Sequence, residues 1–235
     1  MKGEVIIACD FPNREKTLAF LDQFRDRKPF VKIGMELFYG SGPQIVKEIK
    51  DRGHKIFLDL KLHDIPNTVY KAMSNLAEMD VDMINVHASG TIEMMAAARR
   101  ALDEKGSKAV LLAVTQLTST SEQMMHEQLW IDHTMEETVR HYARNAQIAG
   151  CDGVVCSPLE VRSVLEACGE DFYTVTPGIR FADDAKGDQK RVTTPADACR
   201  LGSSYIVVGR SITAAADPVE AYLRASREFE RGTEE

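Results

Sequence analysis

Lys55-Ile56-Phe57-Leu58-Asp59-Leu60-Lys61-Leu62-His63-Asp64-Ile65-Pro66 is an apolar run that ends in charge. Ile56, Phe57 and Leu58 predict a buried strand, and Pro66, at a first helical position, predicts a helix directly after the loop. The stretch is therefore one strand–loop–helix unit with charges at the strand's carboxyl end. Residues two apart on a strand share a face, so the Asp59 carboxylate and the Lys61 ammonium are expected on the same side. Asp64 follows in the loop. Desolvating such a set costs free energy unless the charges compensate one another, and that cost points to a site. The competing reading is a structural Asp59–Lys61 ion pair, with Asp64 near the positive end of the next helix.

The same unit recurs along the chain. Strands are expected at residues 4–10, 30–34, 55–61, 82–87, 109–115, 153–156, 173–176 and 205–209. Helices are expected at 14–25, 42–52, 67–79, 91–104, 135–149, 159–167, 195–201 and 218–231. The strands are rich in Val and Ile and show little strict alternation, as parallel strands buried on both faces do. Eight β-then-α units in 235 residues predict an α/β fold, a single (β/α)8 TIM barrel forming one domain over 1–235. An open doubly wound sheet is disfavoured, because no G-x-G-x-x-G follows the first strand. Two connections are long. Residues 116–134 carry a Ser/Thr cluster and a short extra helix, and the polar segment 178–194 reads as a lid.

The net charge of −7 argues against nucleic-acid binding, which needs a basic surface. No run of eighteen apolar residues is present and Met1-Lys2-Gly3-Glu4 lacks a signal-peptide core, so a soluble, cytoplasmic protein without a membrane partner is expected. The five cysteines, Cys9, Cys151, Cys156, Cys168 and Cys199, are odd in number and show no C-x-x-C spacing. Reduced core thiols fit that pattern better than disulfides or zinc. Of the histidines, His54, His126, His133 and His141 are expected in or beside helices and facing solvent, with His63 and His87 nearer the site.

Barrels of this type carry their sites at the carboxyl ends of the strands. The residues standing there are Asp10, Lys32, Asp59, Lys61, Asp64, His87, the run Thr115-Gln116-Leu117-Thr118-Ser119, Pro177-Gly178-Ile179-Arg180, and Gly209-Arg210-Ser211. Loops after strands seven and eight are the usual phosphate site, so Gly209 and Arg210, with Pro177-Gly178 alongside, predict a phosphorylated substrate. A tight turn with a solvated arginine is the alternative. Ammonium groups interleaved with the carboxylates argue against a metal site.

Asp59-x-Lys61-x-x-Asp64-Ile65-Pro66-Asn67-Thr68 resembles the signature of the orotidine 5′-phosphate decarboxylase family. So do Phe30-Val31-Lys32-Ile33-Gly34, Val114-Thr115-Gln116-Leu117-Thr118-Ser119, Thr176-Pro177-Gly178-Ile179-Arg180 and Val208-Gly209-Arg210-Ser211-Ile212. The match runs in order along essentially the whole chain. The resemblance implies a homodimeric barrel that converts orotidine 5′-monophosphate to uridine 5′-monophosphate and carbon dioxide, without cofactor or metal. It implies a charged network of Lys32, Asp59, Lys61 and Asp64, with Lys61 as proton donor. By the same resemblance, Asp64 and Thr68 reach into the neighbouring subunit's site. Asp10 and Lys32 hold the ribose hydroxyls, Thr118 or Ser119 reads the pyrimidine edge, and Gln189, Arg180, Gly209 and Arg210 close over the phosphate. The D-x-K-x-x-D pattern also resembles the magnesium-dependent 3-keto-L-gulonate 6-phosphate decarboxylase and hexulose-phosphate synthase group, which places a carboxylate where Lys32 stands. A catalytically silent phosphate-binding barrel is the third reading.

Overall fold

The structure, a computed structural model, describes residues 3–25, 27–184 and 193–232. The Val- and Ile-rich runs form parallel strands β1 (Val5–Ala8), β2 (Phe30–Gly34), β3 (Ile56–Leu62), β4 (Met83–His87), β5 (Val110–Val114), β6 (Gly153–Val155), β7 (Tyr173–Ile179) and β8 (Tyr205–Val208). Each pairs with its chain neighbours, and β1 pairs with β8 to close the barrel. The expected (β/α)8 TIM barrel is the observed fold.

Alternation along the strands divides the apolar side chains into two cores. Ile6, Phe30, Phe57, Met83, Leu112, Val175 and Val207 fill the barrel interior. Their neighbours in sequence, among them Ile7, Val31, Leu58, Ile84, Leu111 and Val208, face outward against the helices. The helices present matching stripes. Helix Pro66–Ala77 starts on its proline and buries Val69, Met73 and Leu76, at i, i+4 and i+7. Helix Met135–Ile148 is started by a Thr134–Glu137 capping box, and Asp217 caps helix Pro218–Arg231 through the amides of Val219 and Glu220.

Some expectations need correction and others hold. A helix at Met35–Ser41, not among the expected elements, follows β2 directly; its Leu37 is fully buried, and that packing overrides the weak propensity of a glycine-bearing segment. The first helix ends at Leu21 and continues as a 3-10 turn, Asp22–Phe24. β7 runs on through Pro177 and Gly178 to Ile179, three residues past its expected end at 176. The extra helix after β5 is present as Glu122–Leu129. His54 does not face solvent: it is 2% exposed, and its Nδ1 lies 2.9 Å from the Pro29 carbonyl oxygen. Burial holds its pKa below the usual histidine value. All five cysteines are free thiols. Among the described residues no helix is long and apolar enough to cross a membrane.

Barrel-interior packing should dominate stability. Ile6→Ala, at a fully buried interior position, is expected to cost about 2–5 kcal/mol by urea unfolding. A loss under about 1 kcal/mol would mean that this layer is not close-packed.

Candidate active site

The inward-facing positions of β2, β3 and β4 change character toward the carboxyl end of the barrel. Phe30 gives way to Lys32 and Gly34, Phe57 to Asp59 and Lys61, and Met83 to Asn85 and His87. Apolar layers thus support a polar floor. Lys32 Nζ lies 2.9 Å from Asp10 Oδ1 and 3.3 Å from Asp59 Oδ2. Lys61 Nζ lies 2.6 Å from Asp59 Oδ1. Asp10, Lys32, Asp59 and Lys61 form one chain of alternating charge, summing to zero. Gly34 makes room for it: a Cβ there would stand 3.0 Å from both Asp10 Oδ1 and Lys32 Nζ.

Burial alone would raise the pKa of Asp59, but the Lys32 and Lys61 charges and the hydrogen bonds from Lys61 and Asn85 outweigh it and hold the carboxyl below its usual range. For Lys32, burial would lower the value, yet Asp59 and Asp10 raise it overall. Both groups are therefore ionised around neutral pH, despite side chains only 11% exposed.

Asp64 stands apart from this chain of charges. Its Oδ1 accepts the Ile65 amide at 2.7 Å, and the residue is exposed. Among the described residues it makes no ion pair with the same chain's lysines. Thr68, in the first turn of helix Pro66–Ala77, is also exposed. Within one chain the charges brought together are Asp10, Lys32, Asp59 and Lys61; Asp64, expected to reach a neighbouring subunit's site, is not among them.

Sequence reading missed Asn85. It is fully buried, and its Nδ2 donates to Asp59 Oδ1 at 2.7 Å while its Oδ1 accepts the Lys61 amide at 2.8 Å. A signal was available: Asn85 interrupts the apolar run Met83-Ile84-Asn85-Val86 at an inward-facing position. His87 stacks on His63, with ring centroids 5.6 Å apart. Burial, then His63 and Lys61, keep His87 below the usual histidine pKa.

A cavity of about 240 Å³ opens above the charges, lined by Lys32, Asp59, Lys61, Thr118, Ser119, Pro177 and apolar side chains including Val155 and Val207. It brings the expected base-contacting residues over the charged floor. A wider, more open cavity of about 620 Å³ holds Arg180, Asp184, Arg210, Ser211 and Arg224. The charged chemistry lies in the smaller one. Arg180 is 7% exposed, and its buried Nε has no hydrogen-bond partner among the described residues. Burial first, and then repulsion from Arg210, lower its pKa; two neighbouring guanidinium groups concentrate positive charge suited to a multiply charged anion. Gly209 precedes a four-residue helix, Arg210–Thr213. Gln189, with residues 185–192 of the expected lid, lies outside the described residues. Among the described residues no group of three or more His, Cys, Asp or Glu side chains is placed to hold a metal ion.

The depressed Asp59 pKa fixes the sign of an acid effect. Its pairing contributes stability above the unfolded carboxyl pKa of about 4 and loses it as pH falls through the lower folded value. The stability gap between wild type and Asp59→Asn should therefore be constant from about pH 7 to 5 and change steadily below about 4. Urea unfolding across that range measures it, and a gap that moved only above pH 5 would contradict an ionised, paired Asp59.

The orotidine 5′-phosphate decarboxylase / HUMPS family model matches residues 3–225. The chain is 56% identical over 232 residues to the orotidine 5′-phosphate decarboxylase of Fusobacterium nucleatum, covering 99% of this chain and 98% of the relative. It is 54% identical to that of a Geobacillus species, covering 97% and 98%. Among solved structures, it is similar to orotidine 5′-phosphate decarboxylase from Lactobacillus acidophilus, with a TM-score of 0.88, 43% identity and coverage of 97% and 99%. It is also similar to an uncharacterized conserved protein from Geobacillus kaustophilus, with a TM-score of 0.86, 47% identity and coverage of 96% and 99%. The charged barrel mouth and these matches along nearly the whole length agree, and the chain belongs to the orotidine 5′-phosphate decarboxylase / HUMPS family.

Proposed function

We propose that this chain decarboxylates orotidine 5′-monophosphate to uridine 5′-monophosphate and carbon dioxide, the last step of de novo UMP synthesis. The observation that carries the reading is the Asp10–Lys32–Asp59–Lys61 chain of charges under a small cavity, in a family whose similar members bear that name. Breaking the bond to the carboxyl group leaves an electron pair on the pyrimidine carbon, with no electron sink in the ring's surroundings to spread it. Asp59 disfavours a neighbouring substrate carboxylate, while Lys61 stabilises the developing negative charge and then donates its proton to that carbon. At about 4 Å and an effective dielectric near 20, each such pair is worth roughly 4 kcal/mol. The interaction with Lys61 strengthens as the carboxyl group leaves, which lowers the barrier and not merely the binding energy.

Lys32 separates this reading from the magnesium-dependent branch. Its ammonium already sits between two carboxylates, where a divalent cation would meet repulsion. Asp10 and Lys32 hold the ribose, Thr118 or Ser119 reads the base, and Arg180, Gly209 and Arg210 grip the phosphate, joined by Gln189. Anchoring the phosphate far from the reacting carbon supplies binding energy that organises the site. A cytoplasmic location follows from that biosynthetic role.

The working unit is a homodimer in which Asp64 and Thr68 complete the partner's site. Their exposure supports this, as do the exposed apolar side chains of Met35, Tyr39 and Ile65 after β2 and β3.

Loss of orotidine monophosphate absorbance, followed with and without a chelator, tests the function. Equal rates are expected, and loss of turnover in chelator would favour the magnesium branch. Binding without turnover would favour the silent barrel. Lys61→Ala should abolish turnover with little loss of nucleotide affinity, whereas Arg210→Ala should mainly raise KM. Near-normal kcat in the first, or unchanged KM in the second, would overturn the assigned roles. Lys61→Ala and Asp64→Ala proteins, each inactive alone, should recover about a quarter of the sites when their subunits are exchanged in equal amounts, since half the dimers carry one intact site. No recovery despite confirmed exchange would remove Asp64 from the shared site.

A further inference from the structure

We propose that Asn85 is a positioning residue for the reaction, holding Asp59 and Lys61 in their working geometry through the two ends of one buried amide. The inference rests on the proposed decarboxylation but on a different observation, the break in the β3–β4 ladder. Phe57 pairs with Met83 and Leu58 with Ile84, and the next pair is Leu62 with Val86. Between the last two, Asp59, Leu60 and Lys61 on β3 stand opposite Asn85 alone on β4. Lys61 takes a left-handed backbone, with φ +51°, a conformation that an L-residue keeps only when its surroundings impose it.

The Asn85 side chain supplies what the ladder lacks there. Its Oδ1 accepts the Lys61 amide at 2.8 Å, and its Nδ2 donates to Asp59 Oδ1 at 2.7 Å. The amide's orientation is dictated by its partners, because the reverse would set its oxygen against a carboxylate oxygen and its NH2 against an N–H. Asp59 Oδ1 also receives the Lys61 ammonium at 2.6 Å. A neutral donor on the same oxygen holds the carboxylate in place without adding charge to the balanced set. Asn85 does not line the cavity above the charges, so it acts on substrate only through Asp59 and Lys61. Its surroundings leave no slack: it is fully buried, and its register partner on β5 is Leu112.

Asn85→Asp, Asn85→Ala and Asn85→Ser test the proposal by kcat and KM for orotidine monophosphate, with thermal melts as the control for folding. Asn85→Ala should lose about 10²-fold in kcat with KM changed by less than about threefold, and Asn85→Ser should fall between it and wild type. Asn85→Asp keeps the acceptor but, when ionised, sets a second carboxylate against Asp59. Its deficit should shrink as pH falls from about 8 to about 5.5, where a protonated carboxyl both accepts and donates as the amide does. The titratable groups around this position are Asp59 and Lys61 on β3, Lys32 beyond Asp59, His87 on β4 and His63 stacked on it. These are common to every variant, so each rate is taken as a ratio to Asn85→Ala at the same pH.

Wild-type kcat in the alanine and aspartate variants, or an Asn85→Asp ratio that does not change with pH, would overturn the proposal. If Asn85→Ala fails to fold, Asn85→Ser replaces it as the reference and the isosteric aspartate variant carries the test. Carbon-13 NMR of Asp59 in wild type and Asn85→Ser gives a readout without turnover. Its titration should move upward in the variant, and no movement would overturn the proposal. An upward movement in Asn85→Ser, in a protein whose wild type leaves orotidine monophosphate untouched, would sink the proposed function and not the role of Asn85 toward Asp59.

Discussion

A buried carboxylate between two partly buried ammonium groups is the constraint on which this structure turns. Burial alone would raise the pKa of Asp59 and lower that of Lys32, and their mutual attraction, with Lys61 beside the one and Asp10 beside the other, reverses both shifts. Removing one member of such a set leaves the others desolvated and unmatched, at a cost of several kcal/mol. The fold meets this demand by ending the apolar interior one layer lower. Ile6, Phe30, Phe57 and Met83 pack against one another beneath the charges, so the polar floor rests on a rigid base and opens to substrate on one side only. Gly34 completes the arrangement by the absence of a side chain.

The barrel's regularity breaks where chemistry is needed. Register shifts occur between Leu58 and Leu62 on β3 and between Thr176 and Ile179 on β7. The first carries Asp59 and Lys61; the second carries Pro177 and Gly178, whose φ of +85° is readily adopted by glycine. A regular parallel ladder spends every backbone group on its neighbour and presents side chains in fixed alternation. A local irregularity releases backbone groups and re-aims side chains, and on β3 the released Lys61 amide is taken up by a side chain instead. The cost of the left-handed residue at Lys61 is borne by the surrounding barrel. That is how a strained position persists at a site.

Charge also divides the mouth into two ends. The floor under the small cavity alternates in sign, whereas the wider cavity sets Arg180 beside Arg210, with Asp184 near Arg180. An anion in the wider cavity meets two adjacent guanidinium groups, and one in the smaller cavity meets Lys32 and Lys61 with Asp59 between them. Under the proposed function, phosphate bound at Arg180 and Arg210 would set the substrate carboxylate beside Asp59.

Length, composition and eight repeats of an apolar run followed by an amphipathic stretch were enough to determine a closed barrel, because parallel strands buried on both faces must be apolar throughout and helices must cover them. Site residues at strand ends were legible for the same reason: a charge such as Lys32 or Asp59 at the end of an otherwise apolar run has no place in a core. Contacts between strands were not legible. That Asp10 reaches Lys32 and that Asn85 brackets Asp59 and Lys61 depend on residues 22 to 26 positions apart being brought to hydrogen-bond distance. The helix at Met35–Ser41, the burial of His54 and the left-handed turn at Lys61 belong with them. In each, packing or a non-local partner overrides the local preference of the chain, and only the closed barrel supplies that partner.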